Sequence, residues 1–382
     1  MLGEIGTLDG KEKTVGTSTF WRTVWAWAAF LMLVPSMASA ANCVGHKVRL
    51  PHLNEANGLN AVFALAPNEA WVSGTDSATG LLFYRWDGSG LWKRPQIPLD
   101  VTAISDIAGP NPSDIWLAAS ANDLDDCCAM GVHYNGRSWH PELPGHYSNG
   151  GDTFNSIVDF GPSEVWAVGD DWEYGCSGCP PVDFDFLEHR VGTHWERLLF
   201  GYLGLVAIRG VSAHDMWILE RPTFDRAGSY VQAFHRIGYR WAARQIKGPE
   251  RFTSLAALGV VSSNDVWAVG AQSSSERDPG RPLIAHWNGH VWSVIQGPVG
   301  VNGEFLNSVA AVATNDVWAF GGGRNGALVE HWDGLTWSRV PARFASGFSG
   351  SAAIPGTNEV WAVGSAPDPI LGSVSAAAIY HC

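Results

Sequence analysis

The six cysteines are the residues whose spacing points most directly to chemistry. Cys176 and Cys179 have the C-x₂-C spacing that supplies half of a tetrahedral metal site. Cys127 and Cys128 make a poor second half, because the side chains of adjacent residues diverge. We therefore expect these four cysteines to form disulfides, in any of three pairings, rather than to hold a metal.

Acidic side chains are concentrated around the same four cysteines. Carboxylate oxygens at this density can bind Ca²⁺, but no EF-hand spacing is present. The alternative is a solvated acidic patch. The candidate calcium ligands are Asp123, Asp125, Asp126, Asp170 and Asp171.

Catalytic chemistry has few candidates in this sequence. No P-loop, zinc motif or pair of a nucleophile and a base is evident. A cluster of His146, Tyr147 and Arg251 is the one set that we would assign to an enzyme. The absence of a stronger set favours a non-catalytic binding function.

Composition limits the classes of protein that this chain can belong to. Of its 382 residues, 46% are hydrophobic and 16% are charged, which excludes disorder, collagen and a multi-span membrane protein. The net charge of −13 repels phosphate backbones, so no nucleic-acid partner is expected.

The first forty residues have the pattern of a secretory signal peptide. Lys11, Lys13 and Arg22 precede the apolar run 24–34, and small residues at 38 and 40 form an A-x-A cleavage site. We expect a mature domain over 41–382 that is secreted, periplasmic or exposed at the cell surface. No membrane span is expected after cleavage, and an oxidising compartment favours disulfides.

The remainder of the chain consists of repeats. An acid, an apolar residue and a tryptophan follow a short turn seven times, at intervals of 43 to 51 residues. The tryptophans are Trp71, Trp116, Trp166, Trp217, Trp267, Trp318 and Trp361. A second phrase follows six of them, with a glycine turn between apolar segments, as in Trp332-Asp333-Gly334 to Trp337.

Each repeat reads as four short strands, A to D. In the sixth repeat these are 308–312, 317–321, 328–332 and 337–340. Four strands in 40–50 residues is typical of a propeller blade. The sequence therefore predicts an all-β fold, a seven-bladed β-propeller in one domain that is expected to be a monomer.

The last repeat lacks strand D, and the N-terminal segment resembles that strand. Lys47–Pro51 matches Trp337–Pro341, so we expect it to complete the last blade and close the ring. His381 and Cys382 align with His331 and Trp332. Cys43 then lies at the other end of a missing turn, which predicts a Cys43–Cys382 disulfide.

Most repeated aromatic and histidine residues have a structural interpretation. The tryptophans of strand B are expected to fill the gaps between blades, with carbohydrate stacking as the alternative. One histidine position recurs on strand C, an outer strand where side chains cannot converge on one metal ion. We expect these histidines to bridge strands or to face solvent: His133, His189, His235, His286, His331 and His381.

Loops of variable length connect strand B to C and strand D to A, and both kinds open on one face. Function is often carried by such loops, so we place the binding site on this face near the mouth of the channel. A ring of polar residues is predicted where strand A begins, at Asn60, Thr102, Asn155, Thr253 and Asn307. The adjacent D–A loops add Asp152, Glu304 and Arg343.

The motifs Asn-Asp-Val-Trp-Ala-Val-Gly and His-Trp-Asn-Gly-x-x-Trp resemble those of secreted bacterial β-propeller repeat proteins. These are loosely similar to kelch propellers and to the central domain of galactose oxidase. The resemblance covers 43–382 and implies a fold, not an activity. We expect a module that binds a glycan or a cell-envelope protein. A polysaccharide-active enzyme (a lyase or hydrolase) and a structural subunit of a surface assembly are the alternatives.

Overall fold

The computed structural model describes residues 43–51, 57–77, 80–98, 101–123, 126–143, 152–161, 164–174, 181–201, 204–225, 228–298, 300–301 and 303–382. Their side chains are described too, except at 122–123, 126–128, 172–174, 181–184, 199–201 and 224–225. The described residues belong to one compact unit, Ala38–Cys382. No helix in these ranges is long and apolar enough to cross a bilayer. The predicted signal peptide, 1–40, lies outside them.

Antiparallel strands are the regular secondary structure of the described residues, and turns and loops connect them. The first strand is β1 (Val44–Lys47). The first three repeats each supply four strands: β2 (Asn57–Ala66), β3 (Glu69–Asp76), β4 (Gly80–Trp86) and β5 (Trp92–Lys93); β6 (Val101–Asn111), β7 (Asp114–Asp123), β8 (Asp126–Tyr134) and β9 (Trp139–Glu142); β10 (Asp152–Asp159), β11 (Val165–Tyr174), β12 (Pro181–Val191) and β13 (His194–Gly201).

The later repeats follow the same order, with one extra strand in the fourth. Their strands are β14 (Leu205–Ser212), β15 (Asp215–Glu220), β16 (Thr223–Asp225), β17 (Gly228–Ile237) and β18 (Arg240–Ile246); β19 (Phe252–Ser262), β20 (Asp265–Ser273), β21 (Arg281–Trp287) and β22 (Trp292–Ile295); β23 (Phe305–Ala313), β24 (Asp316–Gly323), β25 (Gly326–Trp332) and β26 (Trp337–Arg339); β27 (Gly347–Ala353), β28 (Val360–Asp368) and β29 (Gly372–His381).

The fold is an all-β propeller with four-stranded blades. Repeats one to five form separate sheets, and the extra strand β16 gives the fourth repeat five strands. The innermost strand of each repeat packs against that of the next, and β27 packs against β2.

Repeats six and seven share one eight-stranded sheet, whereas the sequence predicts separate blades. A single bridge between Gly322 and Gly347 joins β23–β26 to the strands of the seventh repeat. A Cβ atom at Gly322 would lie 3.2 Å from the Gly347 Cα, so two glycines allow this close approach.

Strand β1 pairs with β29, as the sequence predicts, but two residues away from the predicted alignment. His46 lies opposite Ile379, and Trp361 lies opposite Ile379 on the other side. In the sixth repeat Trp318 instead lies opposite His331. His381 is therefore not the counterpart of His331, and this part of the sequence alignment is wrong.

The Cys43–Cys382 disulfide is confirmed in spite of that shift. The Cα atoms of the two cysteines are 3.9 Å apart. Because the shift applies equally to β1 and β29, the two cysteines occupy the places of Gly334 and Leu335 in the sixth repeat. The disulfide thus takes the place of the turn between strands C and D.

The tryptophans of strand B fill the spaces between repeats, as predicted, and each is at most 3% exposed. Most of these rings contact a tryptophan on strand D of the next repeat, whereas Trp318 contacts Tyr380, because β1 carries no tryptophan. Ring-centroid distances are 5.6 Å for Trp71 and Trp139, and 5.4 Å for Trp267 and Trp337. Trp361 of the last repeat makes the same contact with Trp92 of the first, at 6.2 Å.

A histidine and an acid hold the tryptophan of strand B in place. The His286 ring stacks on Trp267 at 4.2 Å, and its Nε2 lies 2.9 Å from the Asp265 carboxylate. We call this arrangement the His–acid clasp. It recurs as His133–Asp114, His189–Glu164, His235–Asp215 and His331–Asp316, with nitrogen–oxygen distances of 2.7–3.2 Å. Repeat one uses Arg85 with Glu69, at 2.7 Å.

Removing the disulfide should destabilise the propeller. We expect Cys382→Ser to lower the free energy of unfolding by about 2–5 kcal/mol, because the reduced constraint raises the entropy of the unfolded chain. Urea unfolding under oxidising conditions measures this change. His381→Ser, which alters the neighbouring residue and keeps the disulfide, should cost less than about 1 kcal/mol. Equal losses in the two variants would contradict the role of the disulfide.

Candidate functional site

Every inner strand has a β-bulge near its start, and the bulged residue faces the central channel. In the first, third and sixth repeats this residue is Asn60, Asn155 or Asn307, as the sequence predicts. Thr102 and Thr253 do not share this position, since the corresponding bulges fall at Ser105 in β6 and Ala256 in β19, although β6 has a further bulge at Thr102. The complete ring comprises Asn60, Ser105, Asn155, Val206, Ala256, Asn307 and Ser349.

Thr102 and Thr253 belong to a second polar position, three residues before each bulge. Asn57, Asp152, Glu304 and Ser346 occupy it in other repeats. Side chains here bind neighbouring backbone: Asp152 accepts from the Ala129 N–H at 2.8 Å, and Asn57 accepts from the Ser375 N–H. Thr253 is only 1% exposed, and its Oγ1 accepts from the Gly248 N–H at 2.8 Å.

The three predicted asparagines also link repeats. Asn60 Nδ2 donates to the Ile104 carbonyl at 2.7 Å, Asn155 to Leu205 at 2.8 Å and Asn307 to Phe348 at 3.1 Å. In each case the acceptor lies on the inner strand of the next repeat. These side chains therefore fasten one repeat to the next. Asn155 Nδ2 also donates to Asp170, and the Asn60 oxygen accepts from Ser73 Oγ at 3.4 Å.

The channel holds two cavities, of about 160 Å³ beside the asparagines and about 390 Å³ towards the A–B turns. All seven inner strands line both of them. The cavity of about 160 Å³ is lined by small side chains such as Ala61, Ala257 and Ser349 and is narrow. A small polar molecule fits this space, but a polysaccharide chain does not.

One charged cluster crosses the channel wall. The Arg209 guanidinium lies 2.8 Å from Asp106 and donates to Ser156 Oγ at 2.7 Å. Ser156 also donates to Asp106 at 2.7 Å, and the Ile157 N–H donates to the same carboxylate at 3.1 Å. Each of the three side chains already has a protein partner. The cluster ties together repeats two, three and four, and it offers no free base to activate Ser156.

Arg197 is surrounded by three carboxylates on the loop-bearing face of repeat three. It lies 2.9 Å from Asp152, 2.9 Å from Asp171 and 2.7 Å from Glu188. All four side chains are at least nine-tenths buried. Burial raises the pKa of Glu188, and Arg197 opposes that shift. Asp152 is therefore part of the internal packing of this face.

The sixth repeat has a similar cluster, in which the arginine contacts one carboxylate more closely than the other. Arg339 binds both oxygens of Glu304, at 2.5 and 3.0 Å, and approaches Glu330 only to 3.8 Å. Glu330 is completely buried. Burial raises the pKa of its carboxyl to about 7, against the opposing effect of the Arg339 charge.

Two of the candidate calcium ligands bind arginines. Asp170 lies 2.5 Å from Arg221, and Asp171 lies beside Arg197 as described above. The side chains of Asp123, Asp125 and Asp126 lie outside the described residues, as do those of Cys127, Cys128, Cys176 and Cys179. Calcium binding and the pairing of these four cysteines therefore stay predictions.

The candidate catalytic set is only partly described. Arg251 is exposed, with its guanidinium 5.1 Å from the centre of the Phe252 ring. His146 and Tyr147 lie outside the described residues. Arg343 is exposed and lies in the connection between β26 and β27.

A further group that could hold a metal lies at the disulfide. His331 Nδ1 is 3.3 Å from Cys382 Sγ and 3.6 Å from Cys43 Sγ. This contact does not follow from the aligned repeats, because the alignment places His381, rather than Ile379, at the position of His331. The recurrence of one acid and one histidine in repeats two to six was the available signal for the His–acid clasp.

The buried Glu330 should make the stability of the protein depend on pH. An acid with a folded-state pKa of about 7 and a usual value of 4.5 costs nothing at pH 4, where it is neutral in both states. The cost develops as pH rises and is complete above pH 7. We expect Glu330→Gln to raise the free energy of unfolding by roughly 1–3 kcal/mol at pH 8 and by less than about 0.5 kcal/mol at pH 4.5.

Urea unfolding at the two pH values measures this difference. Glu196→Gln is the control, because the Glu196 side chain is 55% exposed. The same gain at both pH values, or an equal gain in the control, would count against a buried ionised Glu330.

No family model and no curated protein matches the sequence. Solved structures with a similar fold include YCF48 bound to a D1 peptide, with a TM-score of 0.55 and 13% identity over 89% of this chain and 95% of that one. The β-propeller domain of Cps50 (Swd1) from Myceliophteria thermophila gives 0.51 and 11% identity, over 89% of this chain and 100% of that one. An ancestral GH74 enzyme gives 0.51 and 15%, over 87% of this chain and 47% of that one. At these identities the likeness shows the β-propeller fold alone.

Proposed function

We propose that this protein is a secreted, non-catalytic binding propeller that holds an extended segment of a partner protein on its loop-bearing face. One observation carries the proposal: strand β29 continues well beyond the short strand that covers its outer edge. The edge left over lines a groove that opens on the face with the B–C and D–A connections.

The open edge is defined by the strand pairing of the seventh repeat. β1 covers β29 at Ala378–His381, and the Val48 N–H extends this cover to the Ala377 carbonyl at 2.8 Å. The remaining residues, Gly372–Ala376, pair with β28 on their inner side, and no described strand covers their outer side. A second chain can add there as a strand, since main-chain hydrogen bonds supply affinity at such edges.

The polarity of β29 identifies the backbone groups that a partner can reach. Ala377 and Ser375 both direct their backbone groups outwards, and Asn57 already accepts the Ser375 N–H. Because outward residues alternate along a strand, Ser373 is the next outward residue. In the fifth repeat Pro282 stands at the position of Ser375 and removes the corresponding donor.

The groove beside this edge has a volume of about 520 Å³. Leu50, Leu371 and Val374 give it an apolar wall, and Ile370 is 89% exposed at its rim. Lys47, Arg49 and Asp368 also line it, which leaves a net positive charge along the groove. The groove therefore suits an extended peptide with apolar side chains and an acidic group.

Neighbouring features support a protein partner over a glycan. Sugars stack on exposed aromatic faces. No tryptophan with a described side chain falls in the exposed class, and the exposed rings of Tyr239 and Phe305 lie singly on different repeats. In addition, the YCF48 structure contains a bound peptide, so a propeller of this general fold can accommodate one. Asn60, Asn155, Asn307 and Arg343 would then border the site at the channel mouth.

Export and ring closure belong to the same proposal. We infer that the eight-stranded sheet represents two blades joined at their inner edge, which makes seven blades in all. The packing of β27 on β2 and the contact of Trp361 with Trp92 support a ring closed through β1 and the disulfide. A signal peptide over 1–40 fits this arrangement, because export would allow the disulfide to form.

Panning a displayed library of random peptides on the purified protein tests the proposed function. We expect extended apolar peptides with acidic residues to be selected. Ser373→Pro should weaken their binding at least tenfold, since proline removes the outward N–H. Ser373→Ala, which keeps this N–H, should leave the Kd within about twofold.

Equal Kd values in the proline and alanine variants would contradict binding along β29. Retention on polysaccharides without any selected peptide would contradict a protein partner altogether.

A further inference from the structure

We propose that Cys43, Cys382 and His331 form a zinc site when the disulfide between the two cysteines is reduced. The two Sγ atoms and the nitrogen of His331 all lie within 4.8 Å of one another. Within the described ranges, no other group of histidine, cysteine and acidic side chains converges in this way. Two thiolates and one imidazole are a ligand set that Zn²⁺ accepts, with water in the fourth position.

The His331 ring is already oriented for metal binding. Its Nε2 lies 2.9 Å from Asp316, which directs Nδ1 towards the sulfur atoms 3.3 and 3.6 Å away. A carboxylate that holds the far nitrogen of a histidine is the usual support of a metal ligand. The ring also contacts Trp318, with a centroid distance of 4.3 Å.

The other His–acid clasps provide the contrast. His133, His189, His235 and His286 share the stacking on tryptophan and the contact with an acid, yet no described cysteine lies beside them. The clasp of the sixth repeat alone faces the cysteine pair, because β1 and β29 bring that pair to the neighbouring edge. A clasp that elsewhere only supports a tryptophan thus acquires a nitrogen directed at two sulfur atoms.

The exposure of the two cysteines allows a reductant and a metal ion to reach the site. Cys382 is exposed, whereas Cys43 is 8% exposed. A reductant and an ion can therefore approach from the side of Cys382. The zinc would then connect β1 to β29 in place of the disulfide, so that the same junction stays linked in either state.

A trialkylphosphine and one water molecule reduce the disulfide to two thiols. The phosphine supplies two electrons to break the S–S bond and takes the oxygen of one water molecule to become a phosphine oxide. The two protons of that water end on the two sulfur atoms. Zinc binding then displaces both thiol protons to the solvent.

The test reduces the purified protein with a trialkylphosphine, removes the reagent without air, and titrates Co²⁺ and then Zn²⁺. Thiolate-to-cobalt absorption reports the coordination, and competition with a chromophoric chelator gives the number of zinc equivalents and their affinity. The four remaining cysteines contribute equally to the wild type and to each variant, so differences between proteins isolate this site.

We expect Cys382→Ser to bind one zinc equivalent fewer than the reduced wild type, and the oxidised wild type to lack the same equivalent. His331→Ala should weaken this equivalent at least tenfold, and Asp316→Asn should weaken it about 10–100-fold. His286→Ala is the matched control, because it loses the same clasp away from the cysteines and should bind like the wild type.

Equal zinc binding by the reduced wild type and Cys382→Ser would overturn the proposal. Equal affinities in His331→Ala and His286→Ala would also overturn it. If His331→Ala does not fold, the comparison of Cys382→Ser and Asp316→Asn with the wild type decides the question.

Discussion

The packing of a strand-B tryptophan on the next repeat, against a strand-D tryptophan in most repeats, is the interaction on which the propeller depends. Each repeat is a small twisted sheet that cannot bury both of its faces alone. The tryptophan fills the wedge between two such sheets, and aromatic rings in this arrangement add about 0.5–1.5 kcal/mol beyond the burial of their area. The His–acid clasp fixes the ring position from the other side, as His286 and Asp265 do for Trp267.

The packing of tryptophans and His–acid clasps between repeats limits where a partner can bind. The middle of each repeat is packed. Most of the described charged side chains near the channel mouth form ion pairs within the protein, such as Arg209–Asp106 and Arg197–Glu188. What remains accessible is the outer edge of strand C, because strand D is short. The closing repeat differs from the others there, since its outer strand comes from the far end of the chain and its turn is replaced by a disulfide.

The fold could be predicted from the sequence because its signals recur. Seven tryptophans at similar intervals and six glycine turns identify the strands without any knowledge of contacts. The predicted disulfide was also correct, although the alignment behind it was displaced by two residues. A shift of two preserves the alternation of inward and outward residues, so the sequence pattern alone does not detect it.

The site was less predictable, and for a related reason. Each inner strand carries a bulge that adds one residue near its start, and β6 carries another at Thr102. Counting residues therefore assigned Thr102 and Thr253 to the ring of Asn60, although they belong to the position of Asp152. The proposed zinc ligand His331 and the proposed binding edge of β29 depend on contacts between distant parts of the chain, which no local pattern records.

A double-mutant cycle on Trp267 and Trp337 tests the central claim most directly. These rings lie 5.4 Å apart on successive repeats. With leucine at each position, we predict a coupling free energy of about 1 kcal/mol between the two substitutions. The distant pair Trp139 and Trp267 should show none. Additive losses at Trp267 and Trp337 would contradict the view that tryptophan contacts between repeats hold the ring together.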